Sequence, residues 1–509
     1  MKIGESFFEV INMSIIQMKQ VTFGYDSQEK NLFQQVSLNL DPKWKLGLVG
    51  RNGRGKTTLF YLLLNKLPYT GEINHQENFV YFPQQVKDPT QLTYEVVTDL
   101  TQKELWEVER ELNLLKVDES VFWRPFNTLS GGEQTKVLLA LLFLEEEYPL
   151  IDEPTNHLDS LARQQVISYL NQKNQGFIVI SHDRHFLNET TDHTLAIEKS
   201  QLSLYQGNFA TYEEEKQLRD AYEQSQNTKL TREISRLKQT AEEKKAWSKS
   251  REKDKYGQSH VKGSGSVGDT GFIGARSARM MKRSKAIMNR VEGQIKDKEQ
   301  LLADIEQVDP LKMTPRETHH KRLIWAENVT FGYEETGLFQ PLSFELKPGD
   351  RVALTGSNGS GKSTFIQAIL GEFDGNSWGN LERASGLKVS VVRQHYENNQ
   401  GDLKEFAEKQ QISYQELLNN LIKLGMSRET FQLPIEKMSM GQRKKVELAK
   451  SLGTSADLYI WDEPLNYLDV FNHEQIEELI LSVQPSLLFV EHDKAFLDKI
   501  ATKTLSLKK

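Results

Sequence analysis

The chain contains no cysteine, which excludes disulfides and every zinc site built on thiolates. It also lacks a long apolar run. The longest, Val137 to Leu144, falls far short of the roughly 20 residues that a membrane-spanning helix needs. The first ten residues carry Glu5 and Glu9 and have no apolar stretch of the secretory kind, so the expectation is a cytoplasmic protein without a membrane partner. Whether Met1 or Met13 starts the chain is open at this stage. Proline is sparse, with 14 in 509 residues, and between Asn208 and Tyr256 there is neither proline nor glycine. That charged stretch reads as one continuous helix about 70 Å long.

What the sequence does hold is a duplication. Phe-Gly-Tyr occurs at Phe23 and Phe331, and Gly-x-Asn-Gly-x-Gly-Lys-(Thr/Ser) at Gly50 and Gly356. A glutamine follows an apolar strand at Gln84 and Gln394. Leu/Met-Ser-(Gly/Met)-Gly begins at Leu129 and Met438, Asp-Glu-Pro at Asp152 and Asp462, and His-Asp at His182 and His492. The offsets between copies run 308, 306, 310, 309, 310 and 310, too regular for chance. Lys45–Val49, Phe177–Ile180, Val352–Thr355 and Leu487–Val490 read as buried strands between amphipathic helices, the α/β pattern of a mostly parallel sheet.

Between the copies the composition changes. From Lys244 to Arg290 there are thirteen Lys or Arg against Glu252, Asp254 and Asp269, a net charge of +10 in a chain whose total is −7. An acidic body with one basic projection points to a polyanion as partner of the projection. A Gly-rich stretch, 257–274, separates the first helix from a second helical segment, 276–308, ended by Pro310. Leu230, Ile234, Leu237 and Ala241 share one helical face; Ile287, Val291, Ile295, Leu302 and Ile305 mark another. Two such faces predict an antiparallel helical hairpin with the Gly-rich loop at its tip. The expected organisation is a first domain at 1–212, a basic linker at 213–309 and a second domain at 310–509. Gly263-x-Gly265-x-x-Gly268 matches a dinucleotide fingerprint, but no strand precedes it, and a loop accounts for it better.

The two Gly-rich motifs carry the chemistry. Gly50, Asn52, Gly53 and Gly55, and likewise Gly356, Asn358, Gly359 and Gly361, let the backbone curl so that N–H groups face a phosphate. Lys56 and Lys362 would neutralise the β/γ-phosphates, and Thr57 and Ser363 would ligate Mg²⁺. Each loop follows a strand and opens a helix, at Thr58 and Thr364, the required context. Asp152 and Asp462 end apolar strands and would join the magnesium shell. Glu153 and Glu463, one residue on, are placed to polarise an attacking water. His182 and His492 could contact the γ-phosphate. Tyr25 and Tyr333, upstream of their loops, could stack on adenine, which is worth about 1–3 kcal/mol for base stacking in general; the plainer reading of each is a core tyrosine.

Leu129-Ser-Gly-Gly-Glu133, beside Asp152-Glu-Pro-Thr-Asn-His-Leu-Asp159, resembles the signature and D-loop of ABC ATPases. The resemblance implies an α/β fold with two P-loop ABC-type nucleotide-binding domains, joined here by a long α-helical hairpin linker. It implies ATP and Mg²⁺ as cofactors, with Gln84 and Gln394 contributing to both. It also implies head-to-tail closure: Lys56 would face Ser439 and Gly441, and Lys362 would face Ser130, Gly131 and Gly132. The second copy departs from the pattern. Met440 replaces a signature glycine and Tyr467 replaces the D-loop histidine, so the site pairing Lys56 with Ser439 is expected to be the slower.

Tandem ABC domains around a charged helical linker, with Tyr205-Gln-Gly-Asn-Phe209 before it, resemble the ABC-F translation factors. The segment 262–285 resembles that of the Lsa group of antibiotic-resistance members from Gram-positive bacteria. That likeness implies a monomer that binds the bacterial ribosome at the E site, with the linker reaching 23S rRNA and P-site tRNA and promoting drug release from the peptidyl transferase centre. It implies protection against lincosamides, streptogramin A compounds and pleuromutilins. The runner-up is a general ABC-F factor without drug selectivity; a third reading is the paired ATPase subunit of a membrane importer.

Overall fold

The computed structural model describes residues 15–25, 31–156, 158–198, 200–254, 290, 310–333, 336–396 and 398–508. The chain separates into two compact units, one formed by 1–212 with 308–509 and the other by 213–307.

Within the larger unit the two copies repeat one plan. The first copy has a six-stranded sheet with strand order β5(Phe79–Phe82), β6(Tyr148–Asp152), β7(Phe177–Ile180), β3(Lys45–Gly50), β8(His193–Glu198), β9(Gln201–Gln206). It is parallel except for β9, which returns antiparallel on β8. The second copy has five strands, all parallel: β14(Val389–Val392), β15(Leu458–Asp462), β16(Leu487–Val490), β12(Arg351–Thr355), β17(Lys503–Ser506). β7 and β16 are buried at every position, as expected of uninterrupted apolar runs at the centre of a sheet covered on both faces.

Each copy adds a three-stranded antiparallel sheet: β1(Ile16–Phe23) between β2(Phe33–Leu40) and β4(Thr70–Asn74), and β10(Ile324–Gly332) between β11(Leu342–Leu346) and β13(Asn376–Arg383). In β1 the inward residues Ile16 and Met18 give way to Val21 and Phe23 through a register shift, with Gln20 at φ 49°. β10 repeats the device, with Asn328 at φ 49°. The bulge restores the apolar face to the core.

The helices of the first copy are α1(Lys56–Leu63), α2(Thr93–Leu100), α3(Leu105–Leu114), α4(Gly131–Leu141), α5(Ser160–Gln172) and α6(Arg184–Thr190). Those of the second are α8(Lys362–Leu370), α9(Leu403–Lys409), α10(Tyr414–Lys423), α11(Met440–Leu452), α12(Val470–Val483) and α13(Lys494–Ile500). Between the copies runs α7, Phe209–Asp254, 46 residues long and therefore about 69 Å. Its start is anchored by Phe209 and Tyr212 in the core of copy one. After the linker the chain is anchored by Leu311 and Met313 in the helical core of copy two. Along α7, Ile234 is buried and Leu230 and Leu237 are half-buried. The side chain of Ala241, the Gly-rich tip 257–274, nearly all of the second helical segment and both candidate start residues lie outside the described residues. No described helix is long and apolar enough to cross a membrane.

Candidate functional site

Both Gly-rich loops lie between a central strand and a helix. Gly55 and Gly361 cap α1 and α8 at φ 95° and 91°. A Cβ on Gly55 would stand 2.5 Å from Leu32 Cδ2, so the tight turn that aims the helix N-terminus into the site requires glycine there. Lys56 Nζ donates to Gly50 O (2.7 Å) and Asn52 Oδ1 (3.3 Å); Lys362 Nζ donates to Gly356 O (2.8 Å) and Ser357 O (3.0 Å). Burial lowers the pKa of both lysines, against the pull of nearby carboxylates.

The carboxylate pairs at the ends of β6 and β15 face these loops. Thr57 Oγ1 donates to Asp152 Oδ2 at 2.8 Å, and Ser363 Oγ lies 3.5 Å from Asp462 Oδ2. Gln84 donates to Leu138 O, and its Oε1 is buried without a hydrogen-bond partner among the described residues. The hydroxyl and carboxylate oxygens brought together in each copy are hard donors of the kind that suits Mg²⁺ held jointly with phosphate.

Glu153 and Glu463 have φ 51° and 48°, a left-handed backbone that is uncommon for non-glycine residues and persists where surrounding contacts over-determine it. Glu153 Oε1 lies 3.1 Å from His182 Nε2; Glu463 Oε1 lies 3.8 Å from His492 Nε2, and Glu463 Oε2 accepts from Asn466 Nδ2 at 2.6 Å. Burial, reinforced by Asp152, pushes the Glu153 carboxyl up to about 8. Burial, then Glu463, pushes Asp462 up to about 6. Burial, then the adjacent lysine of each loop, lowers the histidines, His182 well below its ordinary value and His492 to about 4. In the first site a carboxylate of raised proton affinity, Glu153, thus stands beside a neutral imidazole.

The two copies meet head to tail within the chain. Asn52, Gly53, Glu153 and His182 of copy one line a cavity of about 1010 Å³ with Ser439 and Gly441 of copy two. The reciprocal cavity, about 490 Å³, takes Gly131 from copy one and Asn358, Gly359, Glu463 and His492 from copy two. Gly361, Lys362, Ser363, Thr364, Gln394 and Tyr333 also line it. Ser130 and Ser439 cap α4 and α11, each in a capping box with the residue three positions on, so their helix N-termini present backbone N–H groups to an anion. Tyr25 and Gln84 do not line the larger cavity. The Tyr25 hydroxyl instead sits 3.0 Å from Thr58 Oγ1, and its ring packs edge-on against Phe23. Neither Ser130 nor Gly132 lines the smaller cavity; Ser130 donates to Glu133. Met440 is exposed, and a Cβ on Gly441 would stand 2.9 Å from Tyr467 O. His157, the D-loop histidine, lies outside the described residues.

Sequence reasoning missed the residues that join the copies. Asp469 Oδ2 accepts from Asn52 N at 2.7 Å, and Asp159 Oδ2 from Asn358 N at 3.3 Å. Their matched places after the two Asp-Glu-Pro motifs were the available signal. Copy one also extends two arginines into copy two. Arg163 pairs with Asp183 at 2.8 Å and donates to His492 O; Arg184 pairs with Glu477 at 3.2 Å and Glu474 at 3.6 Å and donates to Val470 O. The counterparts do not reciprocate: His473 is buried in its own copy beside Leu465 O, and Lys494 is exposed.

The sequence profile of the family described as "ABC transporter" matches residues 33–156 and 339–466, once in each copy. The chain is an ABC-type ATPase of the tandem ABC-F kind. This ABC-F chain is 29% identical over 492 residues to the ribosome protection protein VmlR of Bacillus subtilis (strain 168), covering 94% of this chain and 85% of VmlR. It is 27% identical to the ATP-binding protein Uup of Caulobacter vibrioides, covering 94% of this chain and 75% of Uup. Among solved structures, the archaeal ribosome recycling factor aABCE1, in its complex with the stalk protein aP1, superposes with a TM-score of 0.61 at 18% identity, covering 96% of this chain and 87% of that one. This last likeness shows the fold.

Proposed function

We propose that this ABC-F ATPase is a ribosome-protection factor that uses the head-to-tail closure of its two copies to displace antibiotics from the peptidyl transferase centre. The observation that carries the reading is the near end-to-end likeness to VmlR, named a ribosome protection protein, which extends across the linker. In this reading ATP is held between Lys56 and the Ser439–Gly441 turn, and between Lys362 and the Ser130–Gly132 turn. Thr57, Gln84 and Asp152, and Ser363, Gln394 and Asp462, would hold Mg²⁺, which when bound neutralises phosphate charge. Glu153 and Glu463 take the proton of the attacking water, and His182 and His492 orient toward the γ-phosphate. The site meeting Met440 and Tyr467 is the slower of the two. Tyr333, on the cavity wall, stacks on the base.

The deciding experiment is drug susceptibility of a sensitive Gram-positive host with and without the gene. Inhibitory concentrations are expected to rise for lincosamides, streptogramin A compounds and pleuromutilins and to stay level for macrolides. A uniform rise across all four classes, or none for the first three, refutes the selectivity. Protection absent throughout favours a general translation factor.

The linker supplies the RNA contact in this reading, with its domain at 213–309 reaching the E site, 23S rRNA and P-site tRNA. Arg276, Arg279, Lys282 and Arg283 lie outside the described residues, and the prediction for them rests on charge. Changing all four to Ala is expected to weaken ribosome co-sedimentation and flatten its salt dependence, because fewer counterions are released on binding. ATP binding should survive. Unchanged sedimentation from low to high salt would mean that these residues only face solvent. Among the tip residues Val267, Gly268, Phe272 and Ile273, also outside the described residues, there is apolar bulk for packing on a base. Single Ala changes at Val267, Phe272 and Ile273 separate displacement through shifted RNA, which one truncation would not abolish, from ejection by one side chain, which it would.

A further inference from the structure

The second copy carries buried charges where the first has none. At equivalent positions Thr135, Leu138, Leu141 and Ser181 of copy one are replaced by Lys444, Glu447, Lys450 and Glu491. All four replacements are buried, at 1%, 0%, 8% and 5% exposure, where an unpaired charge is costly. Two of them sit against the catalytic strand ends. Pairing of β15 with β16 sets Asp462 beside Val490, immediately before Glu491. Glu491 Oε1 accepts from Leu465 N at 2.9 Å, two residues past Glu463, and Glu491 Oε2 accepts from His492 N at 2.8 Å. One carboxylate therefore fastens the loop bearing Glu463 to the loop bearing His492. Lys444 Nζ approaches the same strand end, 3.3 Å from Asp462 O.

Copy one closes the same joint without charge. The Thr155 and Ser181 hydroxyls lie 3.0 Å apart, and Ser181 Oγ accepts from Asp183 N. Thr155 is the counterpart of Leu465, so the second copy has lost both hydroxyls and gained a longer acceptor that reaches the backbone instead.

We propose that Glu491 is a positioning residue for ATP hydrolysis at the Lys362 site, holding Glu463 and His492 in register for the attacking water, with the buried Lys444 ammonium at the same strand end. The proposal rests on the reading of Glu463 as the base. Burial pushes Glu491 up to about 7, and its two backbone N–H bonds pull the other way. Burial pulls Lys444 down to about 8, opposed first by Glu491 and then by Glu447. Glu447 is satisfied separately, by Lys450, Asn399 and the Arg393 N–H, which leaves Glu491 as the carboxylate that serves the catalytic loops.

The test is steady-state ATP turnover of the full chain in a Glu153→Gln background, where the Lys362 site alone works. If that background is silent the two sites fire together, and the unaltered chain reads the same step. Glu491→Gln keeps the shape but cannot accept from both N–H groups. It is expected to lower kcat about tenfold, as small misplacements of catalytic groups do, with KM and the affinity for a fluorescent ATP analogue changed less than twofold. The triple change Lys444→Thr, Leu465→Thr, Glu491→Ser rebuilds the neutral joint of copy one and is expected to restore at least half of kcat. Unaltered kcat per ATP-binding molecule in Glu491→Gln overturns the proposal, as does a triple variant that melts with the unaltered chain yet stays slow. Glu463→Gln is run beside them: normal turnover there would refute the reading of Glu463 itself, whatever Glu491 does.

Discussion

Changing Glu153 and Glu463 together to Gln is expected to cut ATP turnover by about 10²–10⁴-fold, the range that a positioned general base contributes, and to leave ATP binding intact. Glutamine preserves the length of each side chain and still offers a carbonyl oxygen toward His182 or to Asn466. It cannot take a proton from water. Glu153, its carboxyl pushed up to about 8 by burial and Asp152, has the proton affinity that the amide lacks. With hydrolysis blocked and binding kept, the proposed cycle stalls closed, so the variant should also accumulate on ribosomes. Phosphate release, analogue binding and co-sedimentation read the three effects. Turnover within severalfold of the unaltered chain would remove both glutamates from the role.

Arg184→Ala is expected to impair closure of the two copies. Glu477 is 1% exposed and is shared between Arg184 and Lys499, at 3.2 Å and 2.8 Å. Removing one partner from a buried ion pair costs about 3–5 kcal/mol, and the Lys499 contact keeps this case near the lower bound. A loss near 3 kcal/mol corresponds to roughly a hundredfold shift in the closed population. Turnover should fall accordingly, and small-angle scattering with a non-hydrolysable analogue should show less compaction. Lys494→Ala, at the matching but exposed position of copy two, should behave as the unaltered chain. Equal behaviour of the two variants would mean that the arginine is not a clamp.

The fold class and the P-loops were legible because their signals are local. A strand of four apolar residues, a glycine turn and a Lys-(Thr/Ser) pair lie within a dozen positions, and the duplication doubled each signal. The long helix was legible for the opposite reason, since nothing in 208–256 could interrupt it. Placement of the two motif tyrosines was less so: Tyr25 and Tyr333 share Phe-Gly-Tyr, yet one bonds to Thr58 and the other lines a cavity. The seam between copies was not readable, because Arg184 and Glu477 are 293 positions apart and nothing local marks either. The buried charges were hidden by their own chemistry. Met-Gly-Gln-Arg-Lys-Lys-Val-Glu-Leu-Ala-Lys reads as a solvated helix face, yet Lys444, Lys445, Glu447 and Lys450 are all buried. Comparing the copies would have exposed them, since an acid and a base appear together where a serine and a threonine stood.

The one-sided seam has a consequence for self-recognition. A hypothetical pair of first copies would bring Arg184 against Ile167 and Gln164, the counterparts of Glu477 and Glu474, and bury a guanidinium with no carboxylate to pair it. Such a pairing carries the penalty of an unmatched charge, and specificity of this sort arises as much from what is refused as from what is accepted. The duplicated halves are therefore no longer interchangeable. Each first copy is addressed to a second copy, and the covalent tether supplies that second copy at a local concentration that neighbouring molecules cannot match.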